Sequence, residues 1–378
     1  MSLFNPLSSA FGLDIGDRSF KLIQITKYGH SLSPYHITAW GVIDIPEGVM
    51  ERGEIKNMDK AVEALIKLLH TTKGKVKSHA VVSCLPEVKT FIKIIELEPN
   101  TTTEGVKKAI LNEIEQNIPL PSSEIYFDWQ ILSNENEEKQ LFSLEDKKRQ
   151  EKKEISKKKK MRVLLGAAPK KLVEDYLVLL ERSGLDPTAL EIEAVAIGRA
   201  IISENEKTPE ALGIIDIGAT RSSLVIHDAN ALQMSVSIPI SGLSITTLIS
   251  QSLGVTMSEA EILKQECGLD ANRCEDKIWK ILLPLIDDIV EKIRNAMRFY
   301  KIGFPAGKKI EKLYLCGGGA QFREIDNVLS RKLTIKVQRG NPLININPRL
   351  PKNFLKENAI IFTTAIGLAL RATQENGK

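Results

Sequence analysis

Two short segments far apart in the chain share one pattern, and this repeat constrains the fold more than any other feature. The segments are Gly12–Lys21 and Ile214–Ser223, and each has an apolar run, an Asp-x-Gly sequence, a short turn and a second strand-like run. Asp and Gly favour tight turns between antiparallel strands. The pattern therefore predicts two equivalent hairpins in a chain of 378 residues.

Paired hairpins of this kind suit a polyphosphate ligand. Gly16 and Gly218 have no side chain, so backbone amides there can approach phosphate oxygens closely. Asp14 and Asp216 add carboxylates that can hold Mg²⁺ through its bound waters. One such hairpin is weak evidence for phosphate binding, but two that face each other can enclose a magnesium-bound triphosphate.

Two further motifs fit the same kind of site. A predicted strand, Leu313–Cys316, runs into Gly317-Gly318-Gly319, an unhindered backbone beside which adenine and ribose could lie. Glu261 and Lys264 share one face of a predicted helix and could contact ribose hydroxyls and ring nitrogens. Each motif has a simpler alternative, which is a loop with positive φ for the glycines and a solvent-exposed ion pair for Glu261 and Lys264.

Hydrophobic spacing predicts several of the surrounding helices. Apolar residues at helical intervals indicate a long helix over 278–302, a helix over 322–332 and a last helix over 358–372. Thr101 followed by Glu104 is typical of a capping box at the start of another helix. The polar run 203–209 is the expected domain boundary.

Composition excludes several classes of protein. The net charge is +4, but residues 134–160 hold ten Lys or Arg and seven Asp or Glu, so this segment accounts for most of the excess. We expect an exposed charged loop there and no nucleic-acid surface elsewhere. The four cysteines have no paired spacing, which predicts reduced, isolated thiols. No signal peptide or membrane span is indicated, and we expect a cytoplasmic protein.

The order of the motifs resembles the actin-like ATPase superfamily. Within it the chain is most similar to the PilM family of type IV pilus assembly proteins, which is related to the cell-division protein FtsA. The similarity extends over most of the chain. The segments that carry it are Gly12–Lys21, Val49–Gly53, Glu113–Pro121, Phe127-Asp128, Leu212–Ser223, Gly242–Lys264 and Ala365–Arg371.

This resemblance implies an α/β fold, the actin-like two-lobed fold with ribonuclease H-like halves. The first lobe would comprise residues 1–205 and 355–378, and the second lobe residues 206–354. An FtsA-like subdomain would be inserted in the first lobe at about 78–168 and would contain the charged loop 134–160.

The resemblance also implies that the protein binds ATP and Mg²⁺, with Asp14 and Asp216 holding the metal through water. The first phosphate loop would comprise Asp14, Gly16, Ser19 and Lys21. The second phosphate loop would comprise Asp216, Gly218 and Thr220. The nucleoside would be lined by Gly242, Glu261, Lys264, Gly317, Gly318 and Gly319.

Two positions depart from the family pattern. Asp17-Arg18 stands where Ser or Thr is common, and the carboxylate of Asp17 would oppose phosphate binding unless Mg²⁺ or Arg18 neutralises it. Ser244 stands where an acidic residue is usual. With these changes we expect ATP binding with slow or absent hydrolysis.

In the PilM family the insert region is expected to bind the cytoplasmic N-terminal peptide of the membrane protein PilN. The resemblance therefore implies an indirect association with the inner face of the cytoplasmic membrane, and contacts with other pilus assembly proteins. Two alternatives stay open, a filament-forming relative of FtsA or MreB and a small-molecule kinase. The kinase would need a general base beside an acceptor pocket, and no motif in the sequence indicates one.

Overall fold

The computed structural model describes residues 10–373, except 30–33, 100, 133–159, 204–209, 229–230, 239 and 306. Nearly all of the charged loop and most of the expected domain boundary lie outside the described residues. The described chain divides into two compact units, residues 90–171 and the remainder. None of the described helices is both long enough and apolar enough to cross a bilayer.

The bounds of the described strands and helices are as follows. The strands are β1 (Phe11–Ile15), β2 (Ser19–Lys27), β3 (Tyr35–Asp44), β4 (Met50–Glu51), β5 (Glu54–Ile55), β6 (Lys73–Gly74), β7 (Ala80–Leu85), β8 (Phe91–Leu97), β9 (Ile125–Leu132), β10 (Met161–Pro169), β11 (Asp186–Ile192), β12 (Ala211–Ile217), β13 (Ser222–Asp228), β14 (Ala231–Ile238), β15 (Ile310–Cys316) and β16 (Lys336–Arg339). The helices are α1 (Met58–Thr71), α2 (Thr103–Asn117), α3 (Lys170–Arg182), α4 (Glu193–Ile201), α5 (Gly242–Leu253), α6 (Met257–Cys267), α7 (Lys277–Gly303), α8 (Ile325–Leu333) and α9 (Thr363–Thr373).

The larger unit contains two sheets with the same internal topology. One sheet has the order β11-β7-β1-β2-β3-β6, and the other has the order β14-β13-β12-β15-β16. In both, the strand that carries Asp-x-Gly pairs antiparallel with the next strand and parallel with a later one, β1 with β2 and β7, and β12 with β13 and β15. The repeated motif therefore belongs to a repeated sheet.

The central strands are buried on both faces, as their apolar sequences predict. Every residue of β1 is buried, and α9 packs so closely on this strand that a Cβ at Gly12 would collide with the backbone of Ala365 and Ala369. A buried apolar cluster joins β2 and β3 to α9, with Ile23, Phe362 and Ile366 among its members. This packing fixes the strand that ends at the first hairpin.

The smaller unit, Thr90–Lys171, is a three-stranded antiparallel sheet with a helix. β10 lies between β8 and β9, and α2 contributes Val106, Ile110 and Ile114 to a shared core. The unit comprises Thr90–Lys171, and β7 belongs to the six-stranded sheet of the larger unit. The expected bounds of about 78–168 for an inserted subdomain stay a prediction. The division of the larger unit into lobes at about 205 and 355 stays a prediction.

Several local predictions were wrong by a residue or a turn. The cap of α2 is Thr102, whose side chain accepts from the Gly105 amide, and Thr101 instead donates to the Glu98 carbonyl. The predicted helix over 322–332 begins at Ile325, after a 3-10 turn at Gly318–Gln321. The last helix is divided, with a 3-10 segment at Lys356–Phe362 followed by α9.

The cysteine prediction was also wrong in part. Cys267 at the end of α6 is joined by a disulfide to Cys274, and their Cα atoms lie 5.8 Å apart. Cys84 and Cys316 are free thiols and are buried. The disulfide closes a short loop between α6 and α7, so its two partners are near each other in sequence as well as in space.

Candidate functional site

The two Asp-x-Gly segments form hairpins with the same turn. In the first, the Gly16 amide donates to the Ser19 carbonyl at 3.1 Å, and in the second the Gly218 amide donates to the Arg221 carbonyl at 2.9 Å. Each glycine makes a tight turn possible, because a Cβ at Gly16 or Gly218 would press on the carbonyl that accepts this bond. The two hairpins therefore have the same turn, as predicted.

Both hairpins line one cavity of about 250 Å³, which also includes part of the glycine run. Asp14 and Asp216 both face this cavity. Its lining contains these residues from the predicted site: Asp14, Gly16, Ser19, Lys21, Asp216, Gly218, Thr220, Gly317 and Gly318.

A second cavity of about 590 Å³ lies next to the first, and the two share Arg18, Gly218, Ala219 and Gly318. The remaining predicted residues line this second cavity. They are Gly242, Glu261, Lys264 and Gly319. Every residue predicted for the site is thus at one or both of two adjoining cavities.

On the first hairpin, the charges of Asp14 and Lys21 offset each other. Lys21 Nζ donates to Asp14 Oδ2 at 3.0 Å, and both side chains are largely buried. Burial alone would lower the pKa of Lys21, but the ion pair and hydrogen bond with Asp14 raise the pKa above its ordinary value. Asp14 is therefore already paired with a cation of the protein.

On the second hairpin, the carboxyl group of Asp216 has no such ion pair. Asp216 Oδ1 accepts a weak hydrogen bond from the Cys316 thiol at 3.5 Å. Burial, helped by the nearby charge of Asp14, raises the pKa of Asp216 to about 6. A cation placed in this cavity would favour the charged form of Asp216.

The glycine run approaches the second hairpin closely. A Cβ at Gly317 would collide with Asp216 Oδ1, and one at Gly319 would collide with the side chain of Ile217. Gly317 also has a φ of 77°. The loop therefore needs positive φ at Gly317, and the close approach leaves the glycine backbone beside both cavities.

Helix α5 is anchored to the turn of the second hairpin. Its first amides, on Gly242 and Leu243, donate to the carbonyls of Gly218 and Ala219 at 3.0 and 2.8 Å. Ser241 and Ser244 form a capping box at the start of this helix, in which each side-chain hydroxyl accepts a hydrogen bond from the other residue's amide. The departure at Ser244 therefore has a structural role at the N-terminus of α5.

Glu261 and Lys264 form a network rather than an isolated surface pair. Lys264 Nζ donates to Glu261 Oε2 at 2.6 Å and to the Gly242 carbonyl at 3.2 Å, and Thr246 donates to the same Glu261 oxygen at 2.6 Å. Burial acts to raise the pKa of Glu261, but the bonds from Lys264 and Thr246 lower it. The pair lines the second cavity.

Sequence reasoning missed four charged residues of the first cavity, which are Asp44, Glu87, Glu193 and Arg221. Burial raises the pKa of both glutamates to about 7. A carboxyl group with such a pKa can take up or release a proton near neutral pH. Glu193 and Glu87 belong to no motif in the sequence, whereas Arg221 directly follows the second turn and could have been considered.

The charge of Asp17 is neutralised differently from our expectation. Its carboxylate pairs with Arg221 Nη1 at 3.1 Å, whereas Arg18 lies 3.6 Å from Glu47. Arg221 comes from the second hairpin, so the compensating charge is remote in sequence. Neither Arg18 nor a metal ion is needed to neutralise Asp17.

Two sheets of one topology, with equivalent Asp-x-Gly hairpins at one cavity, define an actin-like protein. The chain belongs to the family of the type IV pilus assembly protein PilM, whose family model matches residues 12–373. The resemblance found in the motifs is thereby confirmed.

Similar structures and sequences agree with this class. A solved PilM-PilN type IV pilus biogenesis complex has a chain with a TM-score of 0.77 and 22% identity, over 97% of this chain and 99% of that one. FtsA of Neisseria meningitidis is 24% identical over 58% of this chain and 55% of its own. FtsA of Bacillus subtilis is 23% identical over 71% and 60%. The chain thus spans a little more than half the length of these FtsA relatives.

Proposed function

We propose that this protein is an ATP-binding, actin-like component of type IV pilus assembly. The observation that carries the proposal is the meeting of all the predicted phosphate and nucleoside residues at two adjoining cavities. The smaller cavity offers turn amides and an ammonium group for phosphates, and the larger one has room for a nucleoside. Membership in the PilM family supplies the cellular context.

In this proposal the two hairpins hold the phosphates, and Gly242, Glu261 and Lys264 contact the nucleoside. Mg²⁺, held through water, would neutralise phosphate charge. Asp216 is the stronger of the two candidate metal contacts, because Asp14 is already paired with Lys21. We expect ATP to act mainly by favouring one conformation, with slow or absent hydrolysis.

A bulky side chain at Gly318 tests the nucleotide site directly. Gly318 lines both cavities, and a Cβ there would meet no other atom within 4 Å. Gly318→Val should therefore fold normally but obstruct the passage between phosphate and nucleoside. Calorimetry with Mg²⁺ and ATP should show binding to the wild type and at least a tenfold loss in the variant, which corresponds to about 1.4 kcal/mol.

The matched control is Gly303→Val, since Gly303 also has open space around it and lines neither cavity. It should bind Mg²⁺ and ATP like the wild type. The proposal fails if folded wild-type protein shows no binding, or if both valine variants bind as well as the wild type does.

We also propose that the partner is the cytoplasmic N-terminal peptide of PilN, bound through the insert Thr90–Lys171. The similar solved structure is of a PilM-PilN complex, and this supports the assignment. Binding to a membrane protein would place this chain in the cytoplasm at the inner face of the membrane, near other pilus assembly proteins. A labelled PilN peptide should give saturable fluorescence polarisation with the intact protein, and a scrambled peptide should not.

A further inference from the structure

Asp17 makes the most unusual contacts of the first hairpin. Its side chain is only 1% exposed, and it joins three segments of the chain. Asp17 Oδ1 accepts from the Gly53 amide at 2.8 Å, and Oδ2 accepts from the Thr220 hydroxyl and from Arg221 Nη1. A buried carboxylate that is bonded in this way is an anion held at a fixed place beside the cavity.

The side chains that donate hydrogen bonds to Asp17 are of a kind that also binds phosphate groups. Thr220 and Arg221 belong to the second hairpin, and both line the cavity that contains Asp14 and Asp216. Hydroxyl and guanidinium groups are strong hydrogen-bond donors to phosphate oxygens. The second amino group of Arg221 lies 3.9 Å from Glu193, so carboxylates of the protein engage this guanidinium on two sides.

A terminal phosphate would therefore meet two obstacles in this cavity. The first is electrostatic, because Asp17 neutralises the guanidinium of Arg221, which would otherwise attract the phosphate in a place shielded from water. The second is competition, because the single hydroxyl hydrogen of Thr220 is donated to Asp17 and Arg221 Nη1 is held on the same carboxylate oxygen. A ligand with one phosphate fewer would meet less of either.

The geometry points to Asp17 as a specificity-determining residue, an internal anion that takes the donors of a terminal phosphate and makes the site favour a nucleoside diphosphate over the triphosphate. This inference rests on the proposed nucleotide site. It concerns which nucleotide the site prefers, and it assigns that preference to Asp17.

The wild type alone gives the first test. Calorimetric titrations with Mg²⁺ and either ADP or ATP should show that ADP binds at least as tightly as ATP. Wild-type protein that binds ATP ten times more tightly than ADP would overturn the inference without any variant.

Asp17→Asn gives the second test, because it removes the charge and keeps an oxygen that can accept from Gly53. The ratio of ATP to ADP affinity should rise about tenfold in this variant, as expected for removing one nearby like charge. Asp17→Ser, also neutral and smaller, should shift the ratio in the same direction if the asparagine variant folds poorly. Asp59→Asn is the matched control, since Asp59 pairs with Arg182, is exposed and lines neither cavity.

The outcomes separate the two proposals. A variant that loses affinity for ATP and ADP equally shows that Asp17 only supports the structure, and it overturns the inference while the nucleotide site stands. An unchanged ratio in a folded Asp17→Asn variant also overturns it. If neither nucleotide binds to any of these proteins, the nucleotide site itself is wrong and the inference falls with it.

Discussion

The two hairpins have the same kind of backbone turn but differ in the residue opposite their aspartate. Across the first hairpin Asp14 is opposite Lys21, and across the second Asp216 is opposite Ser223. The lysine forms an ion pair with Asp14 and the serine cannot. One strand position, occupied by lysine in one half and serine in the other, therefore decides whether the carboxylate is neutralised by the protein.

This difference indicates that the two hairpins have different roles. The first hairpin has a permanent ion pair that contributes to its stability, whereas the second holds a buried carboxyl group whose charged form is unfavourable without a cation. Such a group costs stability and is typical of a ligand site. The following changes test that division, from the largest expected effect to the smallest.

Asp14→Asn should have the largest effect, because it leaves the ammonium group of Lys21 buried without its anion. Removing one partner of a buried pair costs about 4 kcal/mol. Urea unfolding without nucleotide should show this loss. Glu47→Gln, which removes an exposed pair with Arg18, should change the unfolding free energy by less than about 1 kcal/mol. Equal effects from the two variants would contradict a structural role for the Asp14 pair.

Gly12→Ala should have the next effect, since its methyl group would strike the backbone of Ala365 and Ala369 in α9. Overpacking of this kind costs about 3 kcal/mol. The equivalent position of the second hairpin is Ile214, a large buried residue, so the close helix contact is a feature of the first half. Gly303→Ala, in open space, should leave the urea midpoint nearly unchanged, and a similar shift in both variants would exclude the clash as the cause.

Much of the fold could be predicted because its signals are local. Apolar periodicity gave α7 to within one residue at each end, and the Asp-x-Gly pattern gave both hairpins. The errors fell where tertiary contacts decide. The last helix is interrupted at Phe362, which joins a buried cluster with Phe354. Strand β7 pairs with β1 and β11, which are both remote from it in sequence.

The site could be predicted only where a residue belongs to a motif. Asp17 was expected to rely on Arg18, its neighbour in sequence, but its partners Thr220 and Arg221 follow more than 200 residues later. Glu193 lies at the start of α4 and has no sequence signal beyond its position there. Charge compensation in a folded protein depends on distances that a linear pattern does not contain.

Asp216→Asn should remove the stabilisation that a nucleotide gives, because the amide cannot supply charge to a hydrated metal ion. For the wild type this stabilisation is about 2.7 kcal/mol when the ligand is at 100 times its dissociation constant. Thermal unfolding with and without Mg²⁺ and ATP measures it. Ser223→Ala, which changes the opposite strand position without removing a charge, should retain most of the shift. A full shift in Asp216→Asn would mean that this carboxylate does not serve the ligand.

The smallest effect concerns pH and is measured without nucleotide. Burial raises the pKa of Asp216 from 3.8 to about 6, so the folded state binds a proton that the unfolded state releases between these values. Stability from this group is complete below about pH 4 and is lost as the pH rises through 6. Asp216→Asn lacks this loss, so its stability should rise relative to the wild type between pH 4 and 7.

The control for this pH series is Asp59→Asn, because Asp59 is exposed beside Arg182 and its removal should alter stability by less than about 1 kcal/mol at either pH. Glu87 and Glu193 act in the same direction as Asp216, with pKa values raised to about 7 by burial, so some loss should persist in Asp216→Asn. If the wild type and Asp216→Asn unfold with parallel pH profiles, Asp216 is already compensated like Asp14, and the contrast between the two hairpins does not extend to their charge.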